Sequence, residues 1–391
     1  MKINVGVIYG GESVEHEVSI ISAMQGMNAL DKERYNVVPI YISKNKQIYS
    51  SEELMDMDSY KDLDQLVKKV PQVFLYKENQ KVLVKTLEKK LFQKEVTQTL
   101  DVVIPILHGT NGEDGTVQGY LELLGVPYSG CDVIAAGVGQ DKVIMKHVLE
   151  NSGVPICDWT WFYYHDFEAE RKEILEKIEK IGYPVVVKPA CLGSSVGITV
   201  AGNEKEVLDA IDTAGQYDFK VVVEKGIVNL KEINCSVLGD SFESKASVLE
   251  EVTKSDTILS YQDKYEGNAK GSKGMVSAQR IIPAPIGDKR TKEIQDLAIK
   301  TFKVLGASGV CRIDFMIDEA TDELYVNEIN TIPGSLAFYL WEPVGVNFMM
   351  LMDALINQAI ERQRRKEKMY FSYDTNILAN FKSSASKGAK R

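Results

Sequence analysis

The segment NEINTIPG at residues 327–334 decides the interpretation of this chain, together with CRIDF at residues 311–315. Side chains in a β-strand alternate between the two faces of a sheet, so residues two positions apart share a face. Both segments predict strands, and the acidic DEATDE between them predicts a tight turn. The hairpin would collect a guanidinium, two carboxylates and an amide on one face, contributed by Arg312, Asp314, Glu328 and Asn330. Ile313, Phe315 and Ile317 would face a core.

These polar side chains are suited to hold magnesium against a polyphosphate. Magnesium prefers hard oxygen ligands in an octahedral arrangement and usually shares them with nucleotide phosphates. The alternative is a surface hairpin whose charges are merely solvated, because single charges on strands are common. The sequence therefore predicts a site for magnesium and a nucleotide, and a solvated surface hairpin stays open as the alternative.

Composition narrows the class of protein. At 391 residues and 44% hydrophobic content, the chain is long enough for two or three cores. Its formal net charge of -10 offers no broad basic face for phosphates, so we expect no nucleic-acid partner. The five cysteines lack metal-like spacing, which indicates a reducing, cytoplasmic location. The N-terminus leads directly into Gly10-Gly11 and predicts a strand, not a signal peptide, and no apolar run approaches membrane-spanning length.

Apolar strands and amphipathic helices follow one another along the chain, which predicts an α/β fold. The strand INVGVIY at residues 3–9 precedes a helical pattern from Glu15 to Leu30, and further buried strands are predicted at NVVPIYI, DVVIPILHG, YPVVVKP and KVVVEKG. We expect three domains and a flexible basic tail. Their predicted ranges are 1–138 with an insertion at about 44–100, 139–240, 241–370 with a lid loop at about 255–280, and 371–391 for the tail.

Glycine-rich turns after strands are candidate phosphate contacts. Gly10, Gly11 and Ser13 precede the first helix, where free N–H groups favour an anion, although the nearby glutamates could simply complement the helix dipole. The small residues of GSSVG, at 193–197, could close over phosphate. No Rossmann or P-loop motif is present, so the nucleotide must be bound in another way. Lys142 and Lys188 are candidate phosphate anchors, with lysines that merely snorkel to solvent as the alternative.

Taken together, the motifs resemble one family. They are GGESVEHEVSIISA, HGTNGEDGTVQGYLELLGVPYSG, DK at 141, VVVKPACLGSSVG, VVEKGI with Glu232, DKY at 263–265, RIDF and NEINTIPG, in the order typical of D-alanine-D-alanine ligases of the ATP-grasp superfamily. The resemblance extends to about residue 360. It implies a three-domain ATP-grasp fold, with ATP held between the antiparallel sheets of the second and third domains.

The resemblance implies amide formation from a carboxylate and an amine. The carboxylate of a first D-alanine would attack the γ-phosphate of ATP and become an acyl phosphate, which the amine of a second D-alanine would then attack. Asp314, Glu328 and Asn330 are implied ligands of two magnesium ions, with manganese as a possible substitute. Implied ATP contacts are Lys142, Lys188, Glu224, Lys225, Ile227, Glu232 and Lys264. The segment from Glu224 to Glu232 is one residue longer than the family pattern, which leaves the adenine contacts open.

On the acyl side, the resemblance implies that Glu15 binds the ammonium of the first D-alanine and that His108 lies near its carboxylate. A histidine at a strand end that serves only as a structural hydrogen-bonding group is the alternative for His108. Arg312 and the backbone N–H of Gly334 would form the oxyanion site. Ser194 and Tyr265 would join Glu15 in a hydrogen-bonded set.

The segment at residues 260–280 is polar, contains glycines and lacks apolar periodicity, which predicts a mobile loop. Such a loop would exclude water from the acyl phosphate and bring Lys264 and Tyr265 into the site. In the family, a tyrosine at this position favours an amine as second substrate over the hydroxyl that would give an ester. The sequence therefore predicts a peptide ligase.

The chain departs from the family pattern after Pro333-Gly334. Here the sequence is SLAFYLWEP, and Tyr339 stands where the family carries a serine that holds the carboxylate of the second amino acid. We expect the Tyr339 phenol, aided by Ser335 or nearby N–H groups, to bind that carboxylate, with simple filling of space as the alternative.

The sequence thus predicts an ATP-dependent D-alanine-D-alanine ligase for peptidoglycan precursors, acting as a homodimer on ATP and D-alanine without a membrane partner. One alternative is a ligase that joins D-alanine or another small amino acid to a different amine, such as D-serine. The other is a nucleotide-binding regulator without catalysis, which the presence of Arg312 and the metal ligands disfavours. The sequence leaves open the second amino acid, a cell-wall or secondary role, the oligomeric state, and the roles of the 44–100 insertion and the tail.

Overall fold

The N-terminal part is built around a mainly parallel sheet. The computed structural model describes residues 2–88, 95–253, 279–373 and 375–380. The first strands are β1 (Ile3–Gly10), β2 (Tyr35–Ile42), β3 (Ile48–Tyr49), β4 (Val73–Glu78), β5 (Lys81–Thr86), β6 (Thr97–Leu100) and β7 (Val102–Ile106). They form one sheet in the order β3-β2-β1-β7 and a separate antiparallel sheet in the order β4-β5-β6. The accompanying helices are α1 (His16–Ala29), α2 (Leu63–Lys69), α3 (Thr116–Leu124) and α4 (Val133–Gln140).

The turn after β1 positions the start of α1. Val5, Val7 and Tyr9 are fully buried on the face that α1 covers, and Ile8 on the opposite face packs with residues of β4, β5 and α3. The turn needs glycine at Gly10, whose φ is 90° and where a Cβ would lie 2.2 Å from the carbonyl oxygen of Ile42. The predicted strand at 3–9 and the helix that follows it are confirmed.

The central part is an antiparallel sheet covered by helices. Its elements are α5 (Lys142–Asn151), β8 (Trp159–Tyr163), α6 (Phe167–Ile181), β9 (Val185–Pro189), β10 (Thr199–Ala201), α7 (Glu204–Ala214) and β11 (Lys220–Lys225). The strand order is β10-β9-β11-β8. Alternate residues of β9 and β11, such as Val187 and Val223, pack with α6 and α7, whereas Val222 packs with Val143 of α5. Lys188 pairs with Val222, and Glu224 lies two positions beyond Val222 on the same strand. Both side chains are therefore on the face toward α5.

The C-terminal part contains the predicted hairpin. Its elements are β12 (Leu230–Gly239), β13 (Ser244–Thr253), β14 (Gln279–Ile281), α8 (Asp288–Val304), β15 (Gly309–Asp318), β16 (Glu323–Asn330) and α9 (Phe348–Lys366). The strands form one antiparallel sheet in the order β14-β13-β12-β15-β16. Between β16 and α9 lie short 3-10 segments at Gly334–Leu340 and Glu342–Val344.

Two features bear on the predicted domain ranges. Because β12 pairs with β13 and β15, the predicted division at residue 240 cuts through one continuous sheet. The helix α9 packs against the N-terminal sheet, since Leu351, Leu355 and Val5 belong to one buried cluster. The end of the chain therefore joins the first and third parts. No helix within the described ranges is long and apolar enough to cross a membrane.

Candidate active site

The β15–β16 hairpin presents its charged residues on one face, as predicted. Arg312 lies opposite Asn330 and Asp314 opposite Glu328 in the antiparallel register. The Arg312 guanidinium donates through Nε and Nη2 to the two carboxylate oxygens of Asp314, both at 2.7 Å, and Asn330 Nδ2 donates to Asp314 at 3.0 Å. Ile313, Phe315 and Ile317 lie in the core on the other face. The arrangement fixes the plane of the guanidinium.

A polar row crosses four strands of this sheet. Glu328, Asp314, Asn234 and Glu250 occupy successive register positions on β16, β15, β12 and β13. Burial raises the pKa of Asp314, and Glu328 and Glu250 raise it further, against the lowering effect of Arg312. The row therefore carries negative charge that a bound cation would offset.

The predicted magnesium ligands have suitable chemistry. Asp314 and Glu328 are adjacent carboxylates, and Asn330 adds an amide oxygen. Among the described residues no three His, Cys, Asp or Glu side chains cluster as a metal site, so phosphate oxygens and water would have to complete the coordination. These oxygen donors, with the negative charge around them, are suited to bind magnesium that also coordinates the phosphates of a nucleotide.

Two buried lysines connect the central part to the hairpin. Lys142 Nζ lies 3.5 Å from a Glu328 oxygen and donates to the carbonyl of Leu192 at 3.0 Å. Lys188 Nζ is 2.8 Å from Glu224 and 3.5 Å from Asn327 Oδ1. Their relative exposures are 6% and 5%, so the alternative that they snorkel to solvent is wrong. Both ammonium groups lie where the two antiparallel sheets approach each other.

Lys146 is a buried residue that the sequence analysis missed. Its Nζ lies 3.2 Å from the same Glu224 oxygen that Lys188 approaches, and the two groups are almost fully buried. Burial opposes ionisation of Glu224, but Lys146 and Lys188 lower its pKa to about 2. Burial lowers the pKa of Lys146. The signal was available, because Lys146 follows Lys142 by one helical turn.

The other predicted nucleotide contacts lie near the same cleft. Lys225 ends β11 and its Nζ donates to the carbonyls of Ile181 and Gly182 at 3.3 and 3.2 Å. Ile227 is half-buried in the connection to β12. Glu232 lies two positions before Asn234 on β12 and therefore shares its face.

The loop around Ser194 contacts the N-terminal part. Ser194 Oγ donates a hydrogen bond to a carboxylate oxygen of Glu15. Ser194 and Ser195 have φ values of 54° and 60°, in the left-handed region that is uncommon for residues other than glycine. Glu15 and Ser194 therefore come together as predicted, whereas Lys264, Tyr265 and most of the predicted lid lie outside the described residues.

His108 belongs to a buried hydrogen-bond network. Its Nδ1 lies 2.8 Å from the carbonyl oxygen of Ile332, so Nδ1 carries the proton and donates. Burial lowers the pKa of His108, and the neutral ring leaves Nε2 to accept from Ser22 Oγ at 2.9 Å. The Ser335 N–H donates to the same Ser22 oxygen at 3.0 Å. His108 thus links Ser22 to the carbonyl of Ile332, next to the segment that carries Gly334, and its place near a substrate carboxylate stays a prediction.

Glu113 is a second buried group that the sequence analysis missed. One of its oxygens accepts from the N–H of Ile332 at 2.7 Å and the other from the N–H of Gly109 at 3.0 Å. Burial, with a contribution from Glu15, raises the pKa of Glu113 to about 7. Glu113 thus links the HGTNGEDG loop to the strand end that precedes Gly334.

Comparison with known proteins identifies the family. A family model described as D-ala D-ala ligase N-terminus matches residues 4–131, and one described as D-ala D-ala ligase C-terminus matches residues 148–357. The chain belongs to the D-alanine-D-alanine ligase family. A D-alanine--D-alanine ligase of Thermosipho melanesiensis is 40% identical over 379 residues, covering 96% of this chain and 98% of that protein.

Solved structures of the family share the fold. The D-alanine-D-alanine ligase of Coxiella burnetii aligns with a TM-score of 0.78 and 31% identity, covering 94% of this chain and 96% of that one. The VanG D-Ala:D-Ser ligase of Enterococcus faecalis aligns with a TM-score of 0.76 and 29% identity, covering 92% of this chain and 100% of that one. The predicted ATP-grasp architecture is therefore confirmed.

The segment after Gly334, which is predicted to depart from the family pattern, has an unusual backbone conformation. Ser335, Leu336 and Ala337 have φ values of 52°, 52° and 50° and are buried. Three successive left-handed residues without glycine store strain, on the order of 1–2 kcal/mol each. The Tyr339 hydroxyl donates to Glu250 Oε2 at 3.3 Å, and burial raises the pKa of the phenol. Tyr339 therefore contacts Glu250, a member of the polar row, and lies beside Arg312.

Proposed function

We propose that the chain is an ATP-dependent ligase that joins two D-alanine molecules through an acyl phosphate, for use in peptidoglycan precursors. The observation that carries the proposal is the single charged face of the β15–β16 hairpin, where Arg312, Asp314 and Glu328 lie opposite Lys142 and Lys188. Phosphoryl transfer depends on charge stabilisation and positioning, which such a face supplies.

The phosphoryl half of the reaction takes place between the two antiparallel sheets. Lys142 and Lys188 bind phosphates of ATP, while Glu224, Lys225, Ile227 and Glu232 surround the adenine and ribose. Asp314, Glu328 and Asn330 would hold two magnesium ions, replaceable by manganese, and the bound metal would supply charge neutralisation at the β and γ phosphates. Lys264 approaches the transferring phosphoryl group. The positions of Lys142 and Lys188 support these roles, because both ammonium groups are buried beside the proposed metal ligands, Lys142 near Glu328 and Lys188 near Asn327.

The acyl half of the reaction takes place on the N-terminal side of the hairpin. Glu15 binds the ammonium of the first D-alanine, and His108 lies near its carboxylate. A carboxylate oxygen attacks the γ-phosphorus and ADP leaves. The second amine then attacks the carbonyl carbon, and phosphate leaves with the oxygen that formed the acyl phosphate. Arg312 and the Gly334 N–H stabilise the oxyanion, because a fixed guanidinium needs no reorientation as charge develops.

Closure and acceptor binding complete the proposed cycle. Ser194 and Tyr265 form a hydrogen-bonded set with Glu15 when the lid covers the site, which keeps water from the acyl phosphate. The Ser194–Glu15 hydrogen bond supports this set. Ser335 and Tyr339 line the pocket for the second amino acid. We also propose a homodimer in the cytoplasm, and the five free cysteines are compatible with a reducing compartment.

A second candidate function is ligation of D-alanine to D-serine or another small amine. It is supported by Tyr339, which replaces the serine of the family pattern, and by the structural similarity to a D-Ala:D-Ser ligase. A regulator without catalysis is disfavoured by the complete set of charged residues on the hairpin.

A panel assay tests the proposal. Phosphate release from ATP and magnesium is measured with single D- and L-amino acids and with D-alanine paired with each of them, and products are identified by mass spectrometry. We expect D-alanine alone to sustain release with formation of D-alanyl-D-alanine. Release only from a mixture of D-alanine and D-serine would select the second candidate, and no release from any combination would refute both.

A further inference from the structure

The carboxylate of Glu250 organises the end of the polar row that is farthest from Glu328. Its side chain is 1% exposed. Oε2 accepts from Asn234 Nδ2 at 3.1 Å and from the Tyr339 hydroxyl at 3.3 Å. Oε1 lies 3.2 Å from Nε of Arg280 on β14. This buried carboxylate thus gathers an amide, a phenol and a guanidinium.

These contacts change the role that the phenol can play. The Tyr339 hydroxyl already donates to a carboxylate of the protein. A substrate carboxylate brought to the same hydroxyl would lie close to Glu250, and two like charges at that distance repel. A carboxylate can bind in this pocket only if a cation separates it from Glu250.

Arg280 meets that requirement. Its Cζ lies 5.1 Å from the centroid of the Tyr339 ring, so the guanidinium is supported by the aromatic face, and its side chain remains 35% exposed. Nε lies 3.2 Å from Glu250 Oε1 as an ion pair without hydrogen-bond alignment, and the guanidinium also carries two terminal nitrogens that can donate to a carboxylate in parallel. Glu250 and Tyr339 therefore hold in place a cation that solvent, and hence a substrate, can reach.

Arg280 also lies on the appropriate side of the reacting centre. Arg280 pairs with Val252 on β13, and Val252 shares a face with Glu250. Glu250 continues the row that contains Asp314, which holds Arg312. β13 and β15 flank β12, so their backbones are separated by roughly 10 Å; Arg280 reaches Glu250 of β13, and Arg312 lies at Asp314 of β15. An amino acid with its amine at Arg312 can extend its carboxylate toward Arg280.

We propose that Arg280, positioned by Glu250 and the Tyr339 ring, receives the carboxylate of the second amino acid and selects acceptors that carry a free carboxylate. This inference rests on the proposed ligase function. It assigns Tyr339 a supporting role beneath the guanidinium, and it makes Glu250 a positioning residue that does not touch the substrate.

A competition between two acceptors tests the inference. D-alanine, ATP and magnesium are mixed with D-alaninamide, which has the same shape as D-alanine but no negative charge, and the two products are quantified by mass spectrometry. The wild-type protein should favour the carboxylate acceptor by about ten- to a hundredfold, the range for loss of a charged hydrogen-bonded pair. Arg280→Gln should reduce this preference by the same factor and leave the KM of the first D-alanine unchanged.

Further variants separate recognition from damage to the fold. Arg280→Gln leaves the buried Glu250 without its cation, so the double variant Glu250→Gln/Arg280→Gln removes the unpaired charge and should show the same loss of preference. Arg280→Lys should keep part of it. Arg290→Gln, which removes an arginine that pairs with Glu293 and Asp322 on the outer surface, is the matched control and should keep all of it.

Three outcomes distinguish the possibilities. A purely structural role for Arg280 would lower both products together and leave their ratio unchanged, which would overturn the inference. Loss of the preference in Tyr339→Phe with retention in Arg280→Gln would identify the phenol as the receptor and would also overturn it. Failure of the wild-type protein to form either product would instead refute the proposed ligase function.

Discussion

The buried cluster of Lys146, Glu224 and Lys188 permits a quantitative prediction for Glu224→Gln. The substitution keeps the shape of the side chain but leaves two ammonium groups without their counter-charge. The pKa of Glu224 is lowered from 4.5 to about 2, and each pKa unit corresponds to about 1.4 kcal/mol, so the charged form stabilises the fold by about 3 kcal/mol. The cost of breaking buried ion pairs, about 3–5 kcal/mol, is of the same size.

The direction of the pH dependence follows from the lowered pKa. The stabilisation by Glu224 is fully present above pH 4.5 and is lost as pH falls toward 2. Measurements at pH 7 therefore report its full size. Urea unfolding can be followed by tryptophan fluorescence, since two of the three tryptophans, Trp159 and Trp161, lie on β8 of the same sheet.

A matched control isolates the effect of burial. Glu173 pairs with Lys177 at 2.8 Å, the distance from Glu224 to Lys188, but on the solvent face of α6. Glu173→Gln should leave the free energy of unfolding unchanged. In a double variant, Lys146→Met should restore part of the stability lost in Glu224→Gln, because it removes one of the two unpaired charges. If Glu224→Gln is no less stable than Glu173→Gln, the buried cluster does not stabilise the fold as argued.

Three further predictions concern the active site and its supports. Arg312→Lys keeps the charge but loses the planar fork, so kcat should fall by roughly a hundredfold or more, as for loss of an oxyanion donor, and a change confined to the KM for ATP would place Arg312 at the nucleotide instead. Asp314→Asn and Glu328→Gln should each abolish turnover while circular dichroism stays unchanged, and phosphate release at the wild-type rate would remove the metal assignment. The pKa of Glu113 is raised from 4.5 to about 7 in the folded protein. Between pH 4.5 and pH 7 the unfolded chain therefore loses this proton before the folded protein does, and the free energy of unfolding should fall by up to about 3 kcal/mol as pH rises. Unfolding of Glu113→Gln across that window should lack this contribution, and parallel pH profiles for the two proteins would contradict the assignment.

The sequence was sufficient where local periodicity determines structure. The period-2 spacing of Arg312 with Asp314, and of Glu328 with Asn330, correctly predicted one polar face, because the pleat of a strand depends on neighbouring residues alone. The association of Glu15 with Ser194 came from the family resemblance, since no local pattern relates residues so far apart in the chain.

The remaining features depend on packing between distant segments. Lys146 reaches Glu224 only because α5 lies across β11, and Glu250 enters the polar row only through the register of β13 with β12. The left-handed run from Ser335 to Ala337 contains no glycine, so the residue types give no sign of its backbone conformation. The first two features carry much of the electrostatics of the site, and none of the three follows from residue spacing.

Tracing the carboxylate oxygen tests the central proposal most directly. D-alanine labelled with ¹⁸O in its carboxylate is incubated with the protein, ATP and magnesium, and the inorganic phosphate and the dipeptide are analysed by mass spectrometry. If the carboxylate attacks the γ-phosphorus and the second amine displaces phosphate, each D-alanyl-D-alanine formed should be accompanied by one phosphate that carries a single ¹⁸O atom. Dipeptide formation with unlabelled phosphate, or with label in AMP, would contradict the acyl phosphate route.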